Sequence, residues 1–121
     1  MVNKKTLVIG ASTNPARYSH LAIHSLRKSG HEVVALAKKE GLVADVTIQT
    51  DFPESDDIHT VTMYISKQRQ EEYSQSLVNL KPKRVIFNPG SENTELEQLL
   101  ETNEIEVIEA CTLVMLNSGQ F

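Results

Sequence analysis

One pattern recurs along this chain: a short apolar run closes on a glycine, proline or asparagine, and apolar residues at helical spacing follow. Thr6-Leu7-Val8-Ile9 ends at Gly10 and carries no charge, so it reads as a strand covered on both faces. Glu32–Ala37, the β-branched Ile58–Ile65, Arg84–Phe87 and Ile105–Ile108 read as four more strands. Between the first two, Ala22, Ile23 and Leu26 form the core stripe of a helix, with Ser19 as N-cap and Gly30 as its stop. Ser66 opens a second helix in which Tyr73, Leu77 and Leu80 recur at i, i+4 and i+7, and Lys81-Pro82 ends it. Thr94 and Glu97 have capping-box spacing ahead of Leu96, Leu99 and Leu100. A short last helix through Leu113 and Leu116 ends at Gly119. Lys38–Glu54 reads as irregular, with a short extended piece around Val46-Thr47-Ile48.

Strands alternating with amphipathic helices mean βαβ units, and right-handed crossovers then cover both faces of a parallel sheet. The expected fold is a single α/β domain over residues 1–121, a doubly wound, Rossmann-like parallel sheet of five strands. A chain of 121 residues buries about two-thirds of its unfolded surface, so it needs no staples. The lone cysteine, Cys111, can form neither an internal disulfide nor a cysteine-based metal site, and it suits a reducing compartment. The apolar run before Gly10 is too short for a secretory leader or a membrane span, so a cytoplasmic protein is expected.

In such sheets ligands bind beyond the carboxyl ends of the strands, where the strand order switches. Taking the first and fourth strands to flank the switch, the loops there are Gly10-Ala11-Ser12-Thr13-Asn14 and Asn88-Pro89-Gly90-Ser91. Both lead toward helix N-termini, whose free N–H groups attract anions. Charge distribution agrees: the total is −4, but residues 1–39 carry +6, including Arg17, Lys38 and Lys39, while residues 85–121 carry −7. The total disfavours DNA or RNA as a partner, whereas the basic first third leaves room for a small phosphorylated ligand. The dinucleotide pattern G-x-G-x-x-G is absent, and Lys38-Lys39 stands where NAD proteins carry an acid for the ribose. Ammonium groups there favour NADP or coenzyme A over NAD; a solvated lysine pair is the plain alternative.

Gly10-Ala11-Ser12 followed by Asn14-Pro15, Arg17 and Ser19 resembles the opening of the small stand-alone coenzyme A-binding proteins. Phe87-Asn88-Pro89-Gly90 with Asn93 and Glu95 resembles that family's fourth-strand loop, and Cys111 falls where its terminal cysteine does. The family has a Rossmann-like fold related to the nucleotide-binding domain of succinyl-CoA synthetase α subunits. The resemblance implies that Gly10, Ala11, Ser12 and Arg17 face the phosphates. It places Lys38 near the adenosine phosphate, Ile65 and Ser66 near the adenine, and Asn88, Pro89 and Gly90 along the second loop. The chain departs from the family pattern in three places. Ala35-Leu36-Ala37-Lys38 replaces a Val-Asn-Pro turn, Tyr64-Ile65-Ser66 lacks an arginine, and Phe87-Asn88-Pro89 replaces an aromatic-x-Gln.

Catalytic constellations are wanting. Ser12 lies outside any G-x-S-x-G elbow, so it reads as a phosphate-bonding or turn-capping serine. His20 and His24 have ligand spacing but no third ligand, and Cys111 reads as a buried small hydrophobe. The acids from Glu92 to Glu109 read as solvated faces, and the few scattered aromatics make no stacking platform for single-stranded nucleic acid. The expected protein therefore binds coenzyme A or an acyl-CoA at the carboxyl edge of the sheet, without chemistry of its own. A homo-oligomer or partner subunit would supply any second substrate site. The alternatives are an NADP-dependent oxidoreductase, or a degenerate nucleotide-fold module that acts through protein interaction.

Overall fold

The structure is a computed structural model and describes residues 2–121. Seven strands form one sheet: β1 (Thr6–Ile9), β2 (Val33–Leu36), β3 (Gly41–Val43), β4 (Val46–Gln49), β5 (Thr60–Met63), β6 (Arg84–Phe87) and β7 (Glu106–Glu109). Their order is β3-β4-β2-β1-β5-β6-β7, parallel except for the antiparallel β3–β4 pair. The helices are α1 (Tyr18–Lys28), α2 (Lys67–Gln70), α3 (Ser74–Leu80), α4 (Thr94–Thr102) and α5 (Thr112–Asn117). The α/β class and Rossmann-like layering hold, while the strand number rises from the expected five to seven.

Alternation along each strand splits the core in two. Leu7 and Ile9 pack with Met63, Phe87, Leu77, Leu96 and Leu100 on one face, whereas Val8 packs with Ala35, Ile23 and Leu26 beneath α1. Both added strands come from Lys38–Glu54: β4 is the short extended piece expected around Val46-Thr47-Ile48, which joins the sheet as a full strand, and β3 comes from residues read as irregular. A two-residue turn at Ala44-Asp45 joins β3 to β4, with Ala44 at φ 54°. Such turns favour Asn or Gly at positive φ, so alanine there hides the hairpin from a sequence reading. A bidentate pair from Arg27 to Asp45, at 2.9 and 2.8 Å, holds the turn against α1.

Three local expectations also shift. The cap position of α1 is Arg17 rather than Ser19, which lies buried in the first turn. Asn93, not Thr94, caps α4: its side chain accepts from Leu96 N–H at 3.2 Å while Glu97 accepts from Asn93 N–H at 2.9 Å. The second helix breaks after Gln70 into a 3₁₀ turn, Glu71–Tyr73, before α3 resumes. No helix of the described residues is long and apolar enough to cross a membrane.

Candidate functional site

Counting only parallel strands in chain order, β4 is the third and β5 the fourth, so the sheet has the order 3-2-1-4-5-6. The switch therefore lies between β1 and β5, and not beside β6 as expected when β4 went uncounted. A cleft of about 580 Å³ opens there, within the usual range for small-ligand sites. Residues immediately beyond β1, β2, β5 and β6 line it.

Of the residues singled out in the sequence, Gly10, Ala11, Ser12, Arg17, Lys38, Ile65, Pro89 and Gly90 line this cleft. Ser66 and Asn88 do not. Ser66 is exposed at the start of α2, with no side-chain capping bond. Asn88 is buried behind the wall: its Nδ2 donates to Thr62 Oγ1 (2.7 Å) and Met63 O (2.9 Å), and its Oδ1 accepts from Thr112 N–H (2.8 Å). Thr13, Lys39, Tyr64, Arg69 and Ser91 also line the cleft. Arg69 had no local signal, because α2 brings it to the rim from beyond Ser66.

Gly10 sits at φ 95°, and a Cβ there would lie 2.8 Å from Ile65 Cγ2 and 3.2 Å from the carbonyl carbon of Tyr64. Only glycine lets the β1 loop touch the β5 loop this closely. The N–H groups of Gly10 and Ala11 both donate to Leu36 O, at 2.9 and 3.2 Å. Donors unclaimed among the described residues include the backbone N–H groups of Ser12 and Thr13, those of Tyr18 and Ser19 in the uncapped first turn of α1, and those of Lys38, Lys39 and Ile65. Local bonds shape this loop. Ser12 Oγ accepts from Asn14 N–H (3.0 Å), Asn14 Oδ1 accepts from Ala16 N–H (3.0 Å), and His20 Nδ1 lies 2.9 Å from Ser12 O. Ser12 thus caps a turn, and His20 steadies its carbonyl.

The opposite loop is poorer in donors. Pro89 has none, Gly90 N–H goes to Glu92 Oε1 (2.9 Å), and Ser91 N–H goes to Asn88 O (2.9 Å). Glu92, which stays exposed, and Glu97, which accepts from Asn93 N–H, each cap a backbone N–H group. Glu97 in turn pushes the pKa of Glu109 up, chiefly through a shared hydrogen bond and then through like-charge repulsion.

Lys38 and Lys39 differ. Lys38 pairs with Glu72, 2.6 Å away, and lies 5.6 Å over the Tyr73 ring, which raises its pKa through the Glu72 bond first. Lys39, Arg17 and Arg69 form no salt bridge among the described residues. The Tyr64 hydroxyl is enclosed without a hydrogen-bond partner among the described residues, and burial pushes its pKa up to about 12. Cys111 is half-buried rather than enclosed, because it occupies the link between β7 and α5.

The family model described as a CoA binding domain matches residues 4–117. The crystal structure of an uncharacterized protein is 45% identical, with a TM-score of 0.96 over 100% of both chains. The cell-free ID.343 protein from Thermus thermophilus is 21% identical with a TM-score of 0.83, over 98% of this chain and 91% of that one. A hypothetical protein from Pyrococcus horikoshii OT3 is 20% identical with a TM-score of 0.85, over 96% and 83%. At these lower identities the likeness speaks for the fold alone. A comparison with curated proteins returns no match.

Proposed function

The chain belongs to the CoA binding domain family, and from the chemistry of its cleft we propose that it holds coenzyme A or an acyl-CoA there without transforming it. The observation that carries this is the excess of positive groups around the cleft, where Glu40 is the one acid among the lining residues. Among the described residues, N–H groups of Ser12, Thr13, Tyr18 and Ser19 that have no acceptor line the same cleft as Arg17, Lys39 and Arg69, which form no salt bridge. Backbone donors at a helix N-terminus suit a diphosphate, and guanidinium groups add bidentate contacts. Of the lysine pair, Lys39 takes the phosphate on the adenosine ribose, since Lys38 is already neutralised by Glu72. Ile65 contacts the adenine, and Pro89 with Gly90 lines the wall along which the ligand extends. The absence of chemistry rests on Ser12, whose hydroxyl accepts a backbone bond while His20 is turned to the Ser12 carbonyl.

Calorimetry with coenzyme A, dephospho-coenzyme A and NADPH tests this reading. Coenzyme A should bind, with dephospho-coenzyme A weaker by about tenfold, the worth of one charge-assisted contact. Lys39→Ala should erase most of that gap and Lys38→Ala little of it. No heat and no thermal shift at millimolar coenzyme A would defeat the proposal. Tighter binding of NADPH would favour an oxidoreductase.

A further inference from the structure

Two buried amides tie together the loops that form the far wall of the cleft. Asn88 joins the ends of β5, β6 and α5, as described above. The other is Gln70, wholly buried although its α2 neighbours Lys67, Gln68 and Arg69 are exposed. Gln70 Nε2 donates to the carbonyl oxygens of Ile65 (2.9 Å) and Ser91 (2.7 Å), and its Oε1 accepts from Asn93 Nδ2 (3.0 Å). The amide can sit only one way round, because both carbonyls are acceptors and Asn93 offers a donor. Ile65 and Ser91 both line the cleft, and Ile65 is the residue against which Gly10 packs. Arg69 precedes Gln70 by one helical step, about 100° around the axis. A Gln70 pinned inward therefore holds Arg69 at the rim.

We propose that Gln70 is a positioning residue for ligand binding: by holding the Ile65 and Ser91 carbonyls it fixes α2 and so aims Arg69 at the bound phosphate. The proposal rests on the cleft being the coenzyme A site. Gln70 touches no ligand itself and acts through two main-chain carbonyls and its neighbour's guanidinium. Its loss should therefore be felt as the loss of the Arg69 contact.

A double-mutant cycle reads this coupling. Coenzyme A is titrated into the wild type, Gln70→Met, Arg69→Ala and the double variant, below the melting temperature of each. Methionine keeps nearly the same volume and removes both donors. Gln70→Leu likewise removes both donors, and it carries the cycle if Gln70→Met does not fold. Each single change should weaken binding about tenfold. The double variant should be no more than about twofold weaker than Arg69→Ala, because both changes remove one contact. Losses that multiply to about a hundredfold, or a Gln70 variant within about twofold of wild type, would overturn the positioning role. A wild type that binds no coenzyme A overturns the reading of the cleft, and this proposal with it.

Discussion

Gly10→Ala places a methyl group where the chain has no room for one. Two terms contribute. The φ of 95° costs a non-glycine residue about 1–2 kcal/mol. The new Cβ would also lie 2.8 Å from Ile65 Cγ2 and 3.2 Å from the Tyr64 carbonyl carbon. The side-chain atom can yield but the backbone cannot easily, so overpacking adds about 1–3 kcal/mol. Alanine restricts the unfolded chain and returns about 0.4–1 kcal/mol. The net loss is then about 1–4.5 kcal/mol, or roughly 4–18 °C in Tm for a chain of this size. Gly90→Ala is the matched control, because Gly90 has the same φ of 95° but nothing within 4 Å of its Cβ. It should cost about 1 kcal/mol or less. Urea unfolding of the two variants isolates the packing contribution. A difference below about 0.5 kcal/mol would refute the argument that the β1–β5 contact demands glycine. Displacing Ile65 should also weaken coenzyme A binding in Gly10→Ala more than in Gly90→Ala.

Other consequences can be checked in the same way. Asn88→Ala leaves Met63 O and Thr112 N–H buried without that partner and should cost about 2–4 kcal/mol in urea unfolding, although Asn88 lines no part of the cleft. Phe121→Ala removes the ring that Arg84 covers at 4.5 Å and should cost about 1–3 kcal/mol; an unchanged Tm would show that the contact is idle. Acid should destabilise the fold before the carboxylates titrate. Burial, then Lys4 and Arg84, hold the His31 pKa below 6.5, and its Nδ1 accepts a bond from Lys4 N–H at 2.9 Å. Burial, then Arg84, lowers that of His59. The unfolded chain takes up these protons first, so the stabilisation is complete above pH 6.5 and declines as pH falls toward the folded values. Tm should drop between pH 7 and 5, and a His31→Gln/His59→Gln variant that keeps the same slope would remove the histidines as its source.

The inner strands were legible in the sequence because each is a short run dominated by apolar and β-branched residues. Arg84–Phe87 matches β6 to the residue, and Thr6–Ile9 matches β1. The β3–β4 hairpin was not, since its turn uses Ala44 where local chemistry favours asparagine or glycine. That omission moved the expected switch point by one strand. The loops beyond β1, β2 and β6 still met at one cleft, because every parallel strand delivers its carboxyl end to the same edge.

The residue pattern thus settles the class of fold and the sheet edge at which the cleft opens, since burial within the sheet and the punctuation of loops are local properties. Which groups are free to bind there is decided by long-range partners. Leu36 O occupies the N–H groups of Gly10 and Ala11. Glu72 neutralises Lys38 from 34 residues away, while α2 turns Arg69 to the rim and Gln70 inward. A hydrogen-bonding group binds a ligand only where the folded chain leaves it unsatisfied, and that vacancy depends on contacts that spacing along the chain does not encode.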